Sequence, residues 1–143
     1  MFKIVSTFEE LLKVHMVRAI VFMAEQQCPY NIEIDEYEYS SLHILGELDN
    51  EPVAAARLRF VDGFAKFERI AVREPWRGKH IGHRLVDYMI GIAREHGFVH
   101  MKMHAQLYLV DFYKEHGFIP RGDVFKEADI DHVLMVLLDD ELE

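Results

Sequence analysis

The sequence predicts one α/β domain organised around a sheet of mixed strand direction, and three observations predict it. Segments with strand character precede a basic, glycine-containing turn, "PWRGKHIGHRL", from Pro75 to Leu85. Directly after that turn the apolar period lengthens to the helical spacing, and beyond Gly97 it shortens again to two. Strands joined by short turns run antiparallel, whereas a helix between two strands of one sheet brings the chain back parallel to its predecessor. The 143 residues suit a single domain with its own core, and no repeat, low-complexity stretch or Pro/Gly/Ser-rich linker divides residues 1–143.

Thr7 and Glu10 have capping-box spacing, and Phe8, Leu11, Leu12, Met16, Ala19, Ile20 and Met23 recur at helical intervals, which predicts a first helix ending between Gln26 and Pro29. "NIEIDEYEYS" is acidic and aperiodic and reads as a solvated loop, with attraction of a cationic amine by Glu33, Asp35, Glu36 and Glu38 as the alternative. "HILGEL" and "VAAARLRF" read as strands separated by the "DNEP" turn, and a break at Val61 to Phe64, carrying Asp62-Gly63, leads into a third strand, "AKFERIAV". After the basic turn, Ile81, Leu85, Tyr88, Met89 and Ile92 make a helical stripe that closes at Gly97. "VHMKMHAQ" alternates as a strand, "LYLVDFYKEH" is helical as far as Gly117, and "FIP" is a short extended piece. "HVLMVLL" is a largely buried last strand ahead of an exposed "DDELE" tail.

Half of the residues are hydrophobic and 29% are charged, an ordinary globular mix, and no apolar run approaches the roughly 20 residues that cross a bilayer. A formal net charge of −9 argues against nonspecific nucleic-acid binding, which needs many Lys and Arg on phosphates. The first residues lack the pattern of a secretory signal and Cys28 is the sole cysteine, so a reducing cytoplasm is the expected compartment. His80 with His83, or His100 with His104, have spacings that bring rings together, but nothing completes a ligand set, and no metal is expected.

A helix start exposes unpaired N–H groups and the positive end of the macrodipole, so a strand-turn-helix passage binds phosphate oxygens through backbone alone. Gly78 and Gly82 bracket such a turn, where a side chain would hold the ligand away, and Arg77 and Lys79 supply mobile positive charge in an otherwise acidic chain. On spacing alone a solvated basic helix start is an equally good reading. The turn lacks the Gly-Lys-Ser/Thr ending of a Walker loop and the three glycines of a Rossmann unit.

The segments "ERIAVREPWRGKHIGHRLVDYMI" and "HAQLYLVDFYKEHGF", together with "VRAIVFMAEQQCP" near the start, resemble the GNAT superfamily of acetyl-CoA-dependent N-acetyltransferases, most closely its small bacterial ElaA-like and YjcF-like type. Arg77, Gly78, Lys79, His80, Ile81 and Gly82 lie on the family's Arg/Gln-x-x-Gly-x-Gly/Ala motif, and "FYKEHGF" matches its Phe-Tyr-x-x-x-Gly-Phe. The resemblance covers nearly the whole chain. It implies a mixed, mostly antiparallel central sheet flanked by helices, with a β-α-β core that binds acyl-CoA. It also implies transfer of acetyl from acetyl-CoA to a primary amine of a small molecule or peptide by direct attack in a ternary complex, and a homodimer is a further possibility. The competing reading is a catalytically weak acyl-CoA sensor or interaction module on the same fold.

His80 departs from the motif's glycine; a negative φ, which lets its side chain point away while its amide still donates, is expected over a positive φ, which would carry strain that glycine avoids. The resemblance also assigns further residues. A backbone N–H near Ile70, Ala71 or Val72 would meet the thioester oxygen, and Tyr113 would lie by the coenzyme sulfur. A phenol of pKa about 10 protonates a thiolate of pKa about 8.5 only uphill, by roughly 2 kcal/mol, so a hydrogen bond to sulfur is favoured over full transfer. His132 matches a histidine that acts as base in some members, with Glu68, Glu127 and a water chain as substitutes. Arg69 and Arg18 match arginines that contact an acceptor carboxylate, and Gln106, where most members have asparagine, would bond the pantetheine arm or the acceptor. His104 shares a strand face with Gln106 by its two-residue spacing.

Overall fold

The computed structural model describes residues 1–138; the "DDELE" segment expected to be an exposed tail lies outside them. Seven strands form one sheet in the order β1-β2-β3-β4-β5-β7-β6. The central meander is β2 (Leu42–Leu48), β3 (Glu51–Val61) and β4 (Phe64–Val72), joined by tight turns at Asp49-Asn50 and Asp62-Gly63. Helix α3 (Ile81–Glu95) then crosses over, and β5 (Met101–Gln106) returns parallel to β4, as the change of period predicts. The hairpin of β6 (Ile119–Glu127) and β7 (Ile130–Leu137) completes that side, with β7 antiparallel to β5.

Two elements differ from the expectation. A three-residue edge strand, β1 (Phe2–Ile4), pairs with β2, and β6 runs nine residues where only "FIP" reads as extended. β6 is exposed along almost its whole length, so it lacks the alternation that marks a half-buried strand.

The core lies on both faces of the sheet. Leu85, Met89 and Ala93, spaced along one stripe of α3, pack with Ile44, Leu58, Phe67, Met101 and Met135. On the opposite face, Val14 and Val17 of α1 (Phe8–Arg18) and Val21 pack on Leu45, Ala55 and Ala71. β3 is therefore covered on both sides, which explains its unbroken "VAAA" run: Ala54 and Ala56 face α3 while Ala55 faces α1. Thr7 caps α1, accepting from the Glu10 N–H at 3.1 Å while the Glu10 carboxylate accepts from the Thr7 N–H, also at 3.1 Å. Beyond Arg18 the helix widens over Ala19–Glu25 to i→i−5 bonding, which carries Gln26 toward the sheet. A short helix, α2 (Tyr30–Glu33), and α4 (Val110–Lys114) complete the described elements that flank the site.

Candidate active site

The site begins where two neighbouring strands part. β4 and β5 pair only at Ala65 to Phe67 with Met101 to Met103. Past that point the β3–β4 register slips between Ala55 and Arg57, so Arg69 and Ile70 together oppose Ala56, a bulge in which Arg69 takes φ +55°. The bulge bends β4, while β5 stays with β7 as far as the Gln106–His132 pair. Among the described residues, the edge of β4 over Glu68–Val72 that faces β5 has no strand partner, leaving the backbone N–H groups that point away from β3, such as that of Val72, exposed to a wedge, while the Ala71 N–H points to β3. A cavity of about 1030 Å³ fills this wedge and runs from the basic turn to the tip of the β6–β7 hairpin.

At one end of the cavity the basic turn forms a backbone cradle. The first helical bond of α3 runs from the Arg84 N–H to the His80 carbonyl at 3.1 Å, so the N–H groups of Ile81, Gly82 and His83 are not spent within the helix. Gly78 sits at φ +78°, a conformation that favours glycine, and a Cβ at Gly82 would stand 3.3 Å from the Phe112 ring, a tight contact from which the ring would have to give. His80 corrects the expectation of a negative φ: it caps the helix at φ 64°, ψ 10°, the left-handed conformation. The turn demands that conformation whichever residue occupies it, and histidine, unbranched at Cβ, tolerates it better than most. The Arg77 guanidinium is tied down, donating to the Val72 carbonyl at 2.8 Å and to Glu25 at 2.7 Å. Lys79 is exposed and outside the cavity wall.

At the other end, sheet register brings side chains from three strands onto one face. His132 of β7 lies opposite Gln106 of β5 and opposite Phe125 of β6; His104 and Glu127, each two residues along, therefore share that face. Phe125 stands between the two imidazoles, edge-on to His104 at 5.0 Å and stacked with His132 at 6.0 Å. His132 is 6% exposed, and its Nδ1–H donates to the Ile130 carbonyl at 2.7 Å. Glu127 accepts from His104 Nδ1–H at 3.1 Å, and that hydrogen bond chiefly holds its carboxyl below the usual range. The Gln106 side chain donates to Gln26 at 3.0 Å, while its buried Oε1 has no partner. Tyr113 is 5% exposed, edge-on to Phe112 at 5.0 Å, and burial, aided by Tyr108, pushes its phenol well above the ordinary value.

Of the two arginines expected at the acceptor, Arg18 is committed elsewhere and Arg69 is so in part. Arg18 is fully buried and does not line the cavity; it donates to Glu33 at 2.6 Å and to both oxygens of Glu38, at 2.7 and 2.9 Å. Arg69 does line the cavity, yet its guanidinium donates to the carbonyls of Ile32 and Glu33 and to Asp35 at 3.2 Å. Arg18 is thus away from an acceptor, whereas Arg69 faces the cavity with Nε and Nη2 engaged and Nη1 outside these hydrogen bonds. This also corrects the reading of "NIEIDEYEYS" as a solvated loop: Glu33 is 2% exposed, and the acidic side chains neutralise Arg18 and the equally buried Arg57. Glu68, a substitute base, is held by Arg57, Arg59 and Lys66; burial would raise its carboxyl, but these cations lower it, which makes it a poor proton acceptor. The sequence reading missed Glu25 and Gln26, which reach the cavity from the widened helical turn, a feature without a periodic signature. Among the described residues, no group of three His, Cys, Asp or Glu side chains is placed to hold a metal ion.

A parted sheet with a helix-start cradle beside it suits a ligand that carries phosphate groups. The chain belongs to the Acetyltransferase (GNAT) family, whose model matches residues 8–118. It is 36% identical over 129 residues to the uncharacterized N-acetyltransferase YjcF of Bacillus subtilis, covering 90% of this chain and 92% of that protein. The crystal structure of Escherichia coli ElaA matches with a TM-score of 0.82 and 28% identity, over 96% of this chain and 99% of that one. A GNAT family acetyltransferase from Elizabethkingia anophelis, solved with acetyl-CoA bound, shares the fold at a TM-score of 0.75 and 15% identity, over 96% and 97% of the two chains. The expected fold class and the small ElaA-like and YjcF-like type hold, and the protein is an acetyltransferase. No helix of the described residues is long and apolar enough to cross a membrane.

Proposed function

We propose that the protein moves acetyl from acetyl-CoA to a primary amine of a small molecule or peptide by direct attack within a ternary complex. The observation that carries this reading is a single cavity that joins the backbone cradle, the unpaired edge of β4 and the buried imidazole of His132. The residues fit the coenzyme: the N–H groups of Ile81, Gly82 and His83 suit the diphosphate, and the orphaned Gln106 Oε1 suits an amide N–H of the pantetheine arm. When bound, the thioester supplies an acetyl carbon that the acceptor nitrogen attacks, the new C–N bond forming as the C–S bond breaks.

The protein's residues do the rest. A backbone N–H at Ile70 to Val72 holds the carbonyl oxygen as it gains charge. His132, whose Nδ1–H is held by the Ile130 carbonyl, in its neutral form keeps the lone pair on Nε2, which takes one proton from the incoming ammonium. The second proton leaves the nitrogen as the amide forms and ends on the thiol. Tyr113, whose phenol is raised by burial, holds its proton and steadies the sulfur as a hydrogen-bond donor.

Calorimetric titration with acetyl-CoA, followed by free-thiol release across an amine panel with the product identified by mass, tests the reading. The expected result is coenzyme binding together with at least one acetylated amine; binding without thiol release would leave only a sensor. His132→Ala is expected to slow turnover with partial recovery as pH rises, and unchanged kinetics would remove it as the base.

A further inference from the structure

We propose that Glu127 and His132 together form the docking point for the charged nitrogen of a primary ammonium acceptor, with Glu127 selecting the cation. The inference rests on the acetyl-transfer reading and adds to it the residue, and the charge state, by which the acceptor is recognised.

The side chains of Glu127 and His132 face each other at the cavity's far end. Nδ1–H of His132 donates to the Ile130 carbonyl, so in the neutral ring the lone pair falls on Nε2, which stands 3.7 Å from Oε2 of Glu127, too far for a hydrogen bond. The other carboxylate oxygen, Oε1, is satisfied by His104. A donor with more than one N–H can bridge Oε2 and a neutral Nε2 at this spacing, and a primary ammonium has three. Charge then separates an ammonium from water. Every other carboxylate that lines the cavity is matched by an arginine: Glu25 by Arg77, Glu33 by Arg18, Asp35 by Arg57 and Glu68 by Arg57 and Arg59. Among the described residues no arginine pairs with Glu127; its carboxyl is held below the usual range chiefly by the His104 hydrogen bond, with Lys66 adding positive charge nearby.

The backbone supports the placement. Ala128 and Asp129 close the hairpin at φ 51° and 62°, a two-residue turn that sets Glu127 directly opposite Ile130, the residue whose carbonyl fixes the His132 tautomer. An alanine in that conformation costs about 1–2 kcal/mol, strain carried at the point where the two acceptors are brought together. Once docked, the ammonium passes one proton to Nε2, and Glu127 stabilises the resulting imidazolium while the freed nitrogen lone pair is released for attack.

The test reads the imidazole directly and needs no turnover. In protein labelled with ¹⁵N at histidine, the His132 resonances are assigned with His132→Gln, and methylammonium chloride is compared with tetramethylammonium chloride at matched ionic strength and constant pH. The expected result is a bare Nε2 in the free protein, a shift of Nε2 with methylammonium alone, and loss of that shift in Glu127→Gln, an isosteric change at a half-exposed position. A protonated Nε2 in the free protein, an equal response to the cation without N–H donors, no response at all, or a response surviving in Glu127→Gln would each overturn the proposal. If methylammonium docks as expected but no amine releases thiol from acetyl-CoA, the docking point stands and the acetyl-transfer reading fails; thiol release without docking has the opposite meaning.

Discussion

At the scale of single residues, His80 and Tyr113 each carry a separable consequence. His80 holds a left-handed conformation that glycine adopts freely, so His80→Gly should raise the unfolding free energy by about 0.5–1 kcal/mol, the relief of strain exceeding the entropy glycine adds to the unfolded chain. Urea denaturation checks this, and coenzyme affinity should stay within about twofold, since the amide is retained. Tyr113→Phe removes one hydroxyl from a buried ring; turnover should fall about tenfold, or ~1.4 kcal/mol, with the acetyl-CoA Kd unchanged by calorimetry. Equal loss of both would mark a packing role. The motif positions were legible in the sequence because backbone cradles impose residue types at fixed spacing. The φ of His80 was not, because the turn closes only when α3 docks on the sheet.

At the scale of elements, the ion-pair hub joins pieces that sequence patterning keeps apart. Arg57 of β3 donates to Asp35 and Glu38 of the segment after α2 and to Glu68 of β4, and it is fully buried. Arg57→Ala strands these carboxylates and should cost about 3–5 kcal/mol of stability, read as a lower midpoint in thermal and urea unfolding. An acidic segment reads as solvated because its cations, Arg18 and Arg57, lie 15 to 22 residues away in the chain. β6 was hidden for the opposite reason. Its side chains face solvent, and its partner β7 carries the burial, so only the pairing reveals it. The meander and crossover were legible because their apolar periods change sharply at Pro75 and at Gly97.

At the scale of the whole molecule, acid should act through the same hub. Burial alone would raise the Glu38 and Asp35 carboxyls, but Arg18 beside Glu38 and Arg57 beside Asp35 override it and bring each to about 2, from ordinary values of 4.5 and 3.8. A depressed folded value stabilises the fold above the unfolded value and ceases to do so as pH falls through the folded one. The unfolding free energy should therefore hold down to about pH 4.5 and fall progressively toward about pH 2, as urea titrations at successive pH would show. A flat profile across that window would mean that the hub persists without its charges.

The parting of β4 from β5 has a mechanical side as well. One sheet, continuous in order, is stitched at its middle by only three facing residue pairs, Ala65 to Phe67 with Met101 to Met103. The two halves are thus leaves on a short hinge line, and any guest that spans the gap acts as a rivet, completing the cross-ties that the polypeptide leaves out.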